Sequence, residues 1–147
     1  MNIITKNKKA FHNYEISEKI EAGIILQGCE VKSIREHKVR LSDSFAKVVK
    51  NELWLLNCHI NPYKGSTHIT PDPLRNRKLL LHKKQVLKLA SKIQEKGFTL
   101  VPLKLYIKDN LVKIELGLGK AKKLFDKRKT LKEKSVNREI QKGLKSR

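Results

Sequence analysis

Residues 21–35 read EAGIILQGCEVKSIR, and the hydrophobic period changes inside this stretch. Residues 24–26 form a short apolar run of the kind found in a strand, whereas residues 30–36 predict a short helix. We expect residues 27–28 to form the joint, because the glycine at 28 adopts backbone conformations that other residues resist. A strand should therefore turn into a helix within two residues.

The predicted helix has one apolar side and one basic side. Val31 and Ile34 are its apolar positions, so Lys32 and Arg35 should lie on the outer face. The sequence thus predicts a basic ridge beside a strand that begins with a lone acid, Glu21.

Length and charge define the class of protein. The chain has 147 residues, 39% of them apolar, which suits one core and is short for two domains. Its formal charge of +20 exceeds what solubility needs and implies a polyanionic partner. Nucleic acid is the first candidate for this partner, and an anionic membrane surface is the second.

The sequence predicts a cytoplasmic chain. The longest apolar run, residues 53–56, is far too short to span a membrane, and residues 1–5 do not resemble a signal peptide. The two cysteines, Cys29 and Cys58, lack a CxxC partner. We therefore expect two reduced thiols buried as small apolar groups.

The first half of the chain reads as a basic arm followed by strands. Residues 1–9 show no periodicity and predict the arm, and residues 10–20 favour a strand, with a helix as the competing interpretation. Two β-rich runs flank the polar pair at 51–52 and predict a hairpin. Residues 61–77 hold three of the four prolines and predict a long loop.

The second half carries the clearest periodic signals. Residues 83–96 have the spacing of an amphipathic helix that stops at Gly97. Residues 101–108 and 112–118 alternate strictly and are joined by an Asp-Asn turn, which predicts a second hairpin. Pro102 favours an edge position for the first of these strands.

These elements predict a mainly β fold. Five or six short antiparallel strands and two or three flanking helices are most simply arranged as a small barrel of the oligonucleotide-binding (OB) type. A split α+β sandwich is the alternative. We assign the barrel to residues 1–119.

Residues 120–147 have a different composition and predict a basic tail. They hold twelve Lys or Arg against three acids, a net of +9, while residues 1–119 carry a net of +11. Val136, Ile140 and Leu144 form one thin apolar row. We expect this tail to be disordered when free and helical when bound, because the row cannot stabilise a helix alone. A solvated basic tail is the alternative.

No residue pattern in the sequence supports a catalytic site. Five histidines lie scattered without metal-ligand spacing, and residues 116–120 lack the spacing of a phosphate-binding loop. We expect no catalytic residue, no metal and no cofactor. An RNA-processing enzyme stays an alternative without residue-level support.

Eight motifs, spread over nearly the whole chain, resemble the SsrA-binding protein family, also called small protein B. They are NKKAFHNY at 7–14, EAGI at 21–24, GCEVKSIR at 28–35, DSF at 43–45, NPY at 61–63, DP at 72–73, RKLLLH at 77–82 and GKAKKLFDKR at 119–128.

The resemblance implies a non-enzymatic RNA adaptor with an OB-like barrel. Such proteins bind the tRNA-like domain of transfer-messenger RNA (tmRNA, or SsrA RNA) and deliver it to stalled ribosomes for trans-translation. The implied partners are tmRNA, the small-subunit rRNA of the ribosome and elongation factor Tu with aminoacylated tmRNA, and no membrane. A general OB-type translation factor or ribosomal protein is the alternative.

The resemblance also implies site residues. The RNA-binding residues would be Asn7, His12, Tyr14, Glu21, Lys32, Arg35, Lys120, Lys122 and Lys123. In the tail, the residues in the decoding region and the empty mRNA path would be Phe125, Asp126, Lys127, Arg128, Val136 and Ile140. Glu21 has two open interpretations, an RNA contact or a salt bridge inside the fold. Phe125 and Phe45 replace residues that often carry a polar ring group in the family.

Overall fold

The structure, a computed structural model, describes residues 1–64 and 71–122 of the chain. Within these segments the strands are β1 (Asn2–Lys6), β2 (Tyr14–Ile24), β3 (Val39–Arg40), β4 (Phe45–Val49), β5 (Glu52–Leu56), β6 (His59–Ile60), β7 (Arg77–Leu80), β8 (Thr99–Lys108) and β9 (Leu111–Ala121). The helices are α1 (Lys8–Asn13), α2 (Gly28–Arg35) and α3 (Lys83–Lys96).

Six strands close into a ring. Their order is β8–β4–β5–β7–β2–β9, and β9 returns to pair with β8. All of these pairings are antiparallel. β1 pairs with a further part of β8, and β3 pairs with β6. The interior is filled by almost fully buried side chains that include Leu53, Leu55, Leu79, Leu100, Ile114 and Leu116. The predicted mainly antiparallel fold with a small OB-like closed sheet and flanking helices is thereby confirmed.

The junction between β2 and α2 is made by a cap rather than by glycine flexibility. The helix begins at Gly28, two residues before the predicted start, and Gln27 is its N-cap. The backbone N–H of Gln27 donates to Oε1 of Glu30 at 2.9 Å, as in a capping box. Gly28 does not adopt a positive φ, so the predicted role of its backbone freedom is wrong.

The predicted basic arm at residues 1–9 is wrong. Residues 2–6 form β1 and pair with β8, with Asn2 opposite Ile107 and Lys6 opposite Lys104. The strand predicted from residue 10 starts only at Tyr14, because residues 8–13 form α1. A strand that pairs with a partner a hundred residues away leaves little periodic signal of its own in five residues.

Both predicted hairpins and the long helix are confirmed. The turn residues Lys50 and Asn51 have φ values of 50° and 63°, and Asp109 and Asn110 have 51° and 63°. Two successive positive φ angles are the geometry that a two-residue hairpin turn needs. Gly97 ends α3 with a left-handed φ of 67°.

Pro102 belongs to β8, which has partner strands on both sides. The edge position predicted for this strand is therefore wrong. β8 pairs with β9 on one side, and on the other it pairs with β4 at Leu100 and with β1 from Lys104 onward. Pro102 occupies the gap between those two partners, beside a register shift in the pairing with β9. A proline is tolerated at such a position because no neighbouring strand requires its missing N–H.

Both cysteines carry free thiols, as predicted. Cys58 is buried in the core, and burial raises the pKa of its thiol to about 11. Cys29 is only half-buried, so the expectation that both thiols are buried holds for Cys58 alone.

Alanine substitutions at two glycines, Gly119 on β9 and Gly28 at the start of α2, test how tightly β9 packs. An added Cβ at Gly119 would lie 2.7 Å from the carbonyl oxygen of Glu15, whereas at Gly28 it would meet nothing within 4 Å. We expect Gly119→Ala to lower the free energy of unfolding by about 1–3 kcal/mol. Gly28→Ala should change it by less than about 0.5 kcal/mol. Urea unfolding of both variants measures this difference, and equal midpoints would contradict it.

Candidate nucleic-acid interface

Four of the predicted RNA-binding residues meet where β9 ends beside the start of β2. Tyr14 pairs with the last residue of β9, and the backbone N–H of Lys122 donates to the carbonyl of Asn13 at 2.8 Å. His12 lies in the last turn of α1, directly before this point. Lys120 is exposed and the other three are half-buried. We call His12, Tyr14, Lys120 and Lys122 the α1 patch.

Aromatic rings lie among the cations of this region. Nζ of Lys120 lies 5.0 Å from the ring centroid of Phe98, and Nζ of Lys19 lies 5.7 Å from that of Phe11. Phe11 is 45% exposed, so its ring is accessible for stacking. Phe11 was not predicted as a site residue, although an aromatic residue directly before His12 was a usable signal.

Asn7 lies inside the fold and not on the surface, where it was predicted to contact RNA. It is only 4% exposed, and its side chain caps α1 by accepting from the N–H of Ala10 at 3.2 Å. Its Nδ2 donates to the carbonyls of Leu41 and Pro102 at 3.2 and 2.9 Å. These bonds join α1 to β8, and the burial of the side chain does not fit the predicted direct RNA contact.

Glu21 is partly exposed and is held by two neighbours on β8. Its Oε2 accepts a hydrogen bond from the hydroxyl of Tyr106 at 2.5 Å and lies 3.7 Å from Nζ of Lys108. The hydrogen bond from Tyr106 is the main cause that keeps the pKa of Glu21 below its ordinary value of 4.5. Burial raises this pKa, and the positive charges of Lys108 and Lys113 lower it. Glu21 is therefore an ionised acceptor, and it does have an ion pair within the fold.

A groove of about 380 Å³ lies beside Glu21. Its lining includes Gly23, Leu80, His82 and Lys113. Leu80 is 50% exposed, which gives the groove an accessible apolar wall. We call Glu21, Gly23, Leu80, His82 and Lys113 the Glu21 patch. Leu80 was missed from the sequence, although alternation along a strand requires that one residue of a three-leucine run faces away from the core.

The predicted outer face of α2 is confirmed for Lys32 and Arg35, which are both exposed. We call these two residues the α2 ridge. Nζ of Lys32 lies 5.3 Å from the ring centroid of Tyr63, so the ridge extends toward the segment after β6. Cations and an aromatic ring are again adjacent, which suits phosphate contacts with a stacked base.

The inner face of α2 holds a buried ion pair that was not predicted from the sequence. Glu30 is 3% exposed, and its carboxylate accepts from Nη2 of Arg75 and Nε of Arg77, both at 2.6 Å. Arg77 is completely buried and also donates to the carbonyls of Cys58 and Pro73.

These bonds keep Glu30 ionised. Burial alone would raise the pKa of Glu30, but hydrogen bonds from Arg75, the Gln27 backbone and Arg77 bring it below 4.5. The ion pair thereby fixes α2 to Arg75 and Arg77 at the end of the 61–77 stretch, and Arg77 in turn binds the carbonyl of Cys58 before that stretch.

The α1 patch and the Glu21 patch lie at different positions along β2. Tyr14 begins the strand and Glu21 follows seven residues later, opposite Glu115. At about 3.3 Å per residue this separation is roughly 23 Å. The structure therefore does not gather the predicted residues into one pocket. It distributes them over an extended surface, which suits a large ligand such as a folded RNA.

Some predicted features lie outside the described residues. They are Lys123 and the tail residues Phe125, Asp126, Lys127, Arg128, Val136 and Ile140. Among residues 1–64 and 71–122, no cluster of His, Cys, Asp or Glu could hold a metal ion. None of the helices in that part of the chain is long and apolar enough to cross a membrane.

Known proteins resemble this chain over almost its whole length. The family model described as SmpB protein matches residues 4–146. The SsrA-binding protein of Carboxydothermus hydrogenoformans is 54% identical to this chain, and the alignment covers 99% of this chain and 97% of the relative. That of Limosilactobacillus reuteri is 51% identical, with 98% of this chain and 92% of the relative covered.

A solved structure resembles the fold as well as the sequence. A chain from the structure described as "tmRNA-SmpB: a journey to the center of the bacterial ribosome" has a TM-score of 0.68 and 47% identity. The match covers 82% of this chain and 85% of that one. Sequence and fold agree, and the chain belongs to the SmpB family.

Proposed function

We propose that this chain binds the tRNA-like domain of tmRNA and delivers it to stalled ribosomes for trans-translation, without catalysing a reaction. One observation carries the proposal: a chain of the solved tmRNA-SmpB structure shares 47% identity and the same fold with it. The charge of +20 and the basic, aromatic surface fit an RNA partner of this size.

The three surfaces have different chemistry and therefore different proposed roles. We assign phosphate contacts to the cations of the α1 patch and the α2 ridge, and also to Lys123, which lies outside the described residues. His12 and Tyr14 stack on unpaired bases. Glu21 accepts hydrogen bonds from RNA donors, because a carboxylate is repelled by phosphate. Asn7 supports the α1 patch from within the fold.

The tail has a second proposed role. Residues 120–147 carry a net of +9 and one thin apolar row, which suits a segment that orders only against rRNA. We assign Phe125, Asp126, Lys127 and Arg128 to the decoding region and Val136 and Ile140 to the empty mRNA path. Residues 1–119 form the tmRNA-binding unit in this division, although β9 continues to Ala121.

The ribosomal role implies the remaining partners and the compartment. A protein that delivers tmRNA to ribosomes works in the cytoplasm and meets elongation factor Tu on aminoacylated tmRNA. A general OB-type translation factor or ribosomal protein is the second candidate. The charge of +20 supports it, because phosphate contacts alone would suit such a protein as well.

Binding measured over a salt series separates the two candidates. The ligands are the tRNA-like domain of tmRNA and an ordinary tRNA of equal charge. We expect a preference for the tRNA-like domain that persists at high salt, because contacts to shape and bases are screened less than phosphate contacts. Coinciding curves for the two RNAs would favour the general RNA binder.

The α2 ridge can be tested in the same series. Replacing Lys32 and Arg35 together with alanine should reduce the slope of log affinity against log salt by about 2, one unit for each lost phosphate contact. Lys47→Ala, an exposed lysine on β4 outside the three surfaces, is the control and should leave the slope unchanged. If the double variant and Lys47→Ala reduce the slope equally, the α2 ridge is not part of the RNA interface.

A further inference from the structure

Tyr106 is buried in an unusual place. Only 2% of its surface is exposed, yet within the described residues it belongs to neither apolar cluster of the core. It pairs with Lys113 across β8 and β9, and Nζ of Lys104 lies 5.8 Å from its ring centroid. Tyr106 thus lies on the outside of the ring, between Ile3 of β1 and Lys113 of β9, and it belongs to the packing of neither cluster.

The hydroxyl of Tyr106 has one partner in the described structure, Oε2 of Glu21, at 2.5 Å. The two residues are 85 positions apart in sequence, so the contact exists only because β2 and β8 both pair with β9. Lys108 also approaches Oε2, at 3.7 Å. Both described contacts therefore engage the same carboxylate oxygen, and Oε1 is the oxygen left for a ligand.

A carboxylate helps an RNA-binding surface only if its orientation is controlled. Phosphates offer it no donor and repel it, whereas amino and imino groups on base edges donate hydrogen bonds. Ribose hydroxyls donate too, but every nucleotide of every RNA carries one, so they do not distinguish one RNA from another. An oriented carboxylate can thus select RNA through its unpaired bases, and a mobile one binds more weakly because its ordering costs entropy.

The groove beside Glu21 provides room for such a base. Its volume is about 380 Å³, and Leu80 offers an apolar wall against which the face of a base can pack. Lys113 lines the same groove and supplies a cation for the attached phosphate.

We propose that Tyr106 is a positioning residue for RNA recognition: its hydroxyl fixes the Glu21 carboxylate so that Oε1 accepts a hydrogen bond from the amino or imino group of an unpaired nucleobase. This assignment rests on the proposed function, since it concerns the same RNA-binding surface. Tyr106 itself does not contact the RNA in this arrangement, because its side chain is covered.

A double-mutant cycle tests the assignment through the affinity ratio between the tRNA-like domain and an ordinary tRNA. Tyr106→Phe removes the hydroxyl and keeps the ring, and Glu21→Gln removes the charge and keeps the shape. We expect each variant to reduce the ratio about three- to tenfold, the effect of one net hydrogen bond. The double variant should lose no more than Glu21→Gln alone, because Tyr106 acts only through Glu21.

Ser44→Ala is the control, since it also removes one buried hydroxyl, but that hydroxyl donates to the carbonyl of Leu41 at 2.6 Å and not to Glu21, so the ratio should stay unchanged. Unfolding curves show whether each variant is folded at the assay temperature. If Tyr106→Phe keeps the wild-type ratio, or if the two losses add in the double variant, the positioning role is overturned while the proposed function stands. A wild-type protein that shows no preference at all would overturn both.

Discussion

Replacing Glu30 with alanine is expected to lower the free energy of unfolding by about 3–5 kcal/mol, the cost of leaving one partner of a buried ion pair alone. Glu30 is the carboxylate that Arg77 meets at 2.6 Å, and Arg77 is completely buried. The variant keeps the guanidinium in the interior without its counter-charge. Urea or thermal unfolding measures the loss.

Glu52→Ala is the matched control for this prediction. Glu52 also pairs with a cation, Lys78, but at 3.5 Å and with both side chains about 40% exposed. Exposed pairs of this kind contribute about 0–1 kcal/mol, because water screens them. Equal losses for Glu30→Ala and Glu52→Ala would show that the buried pair does not stabilise the fold as described.

The Glu30 contribution also has a defined dependence on pH. Its pKa in the folded protein lies below the ordinary value of 4.5, so folding favours the ionised form. The stabilisation is therefore fully present above that value and is lost as the pH falls through the lower pKa of the folded state. The difference in stability between wild type and Glu30→Ala should shrink below pH 4.5, and a constant difference would contradict the ion pair.

Replacing Lys127 and Arg128 together with alanine is expected to abolish tagging of stalled chains and to leave tmRNA binding nearly intact. The two cations are only two of 34 Lys and Arg residues, so the overall attraction to RNA changes little. In the proposed function they act in the decoding region, where no other part of the chain replaces them. Tagging of a stalled translation product and affinity for the tRNA-like domain are measured in parallel.

Lys142→Ala with Lys145→Ala is a charge-matched control within the same tail. It removes two cations near the end of the chain, so it should retain most of the tagging activity. The division into a binding unit and a decoding tail fails if Lys127→Ala with Arg128→Ala weakens tmRNA binding as much as it weakens tagging. Similar loss of tagging in both double variants would show that net charge alone matters.

Features encoded by neighbouring residues were determined by the sequence. The turn at Asp109–Asn110, the end of α3 at Gly97 and the alternation along β9 depend on φ preferences and side-chain period, and all three were predicted. The alternation predicted along β8 is interrupted by the register shift after Pro102, so Val101 and Leu103 lie in a different cluster from Leu105. Lys32 and Arg35 were placed correctly on the outside of α2 for the same reason. The charge of +20 likewise indicates a polyanionic partner, because net charge depends on composition alone and not on how the chain folds.

Features that depend on distant partners were decided only by the tertiary structure. A charged residue such as Glu30 reads as exposed until its buried partner, Arg77, is known, and 47 positions separate the two. Asn7 was predicted to bind RNA, but its side-chain amide donates hydrogen bonds to carbonyls 34 and 95 positions away in the sequence. Glu21 and Tyr106 meet only because the ring of strands closes through β9. A polar side chain can be buried only where a hydrogen-bond or ion-pair partner meets it. The local sequence does not reveal a partner that is distant along the chain.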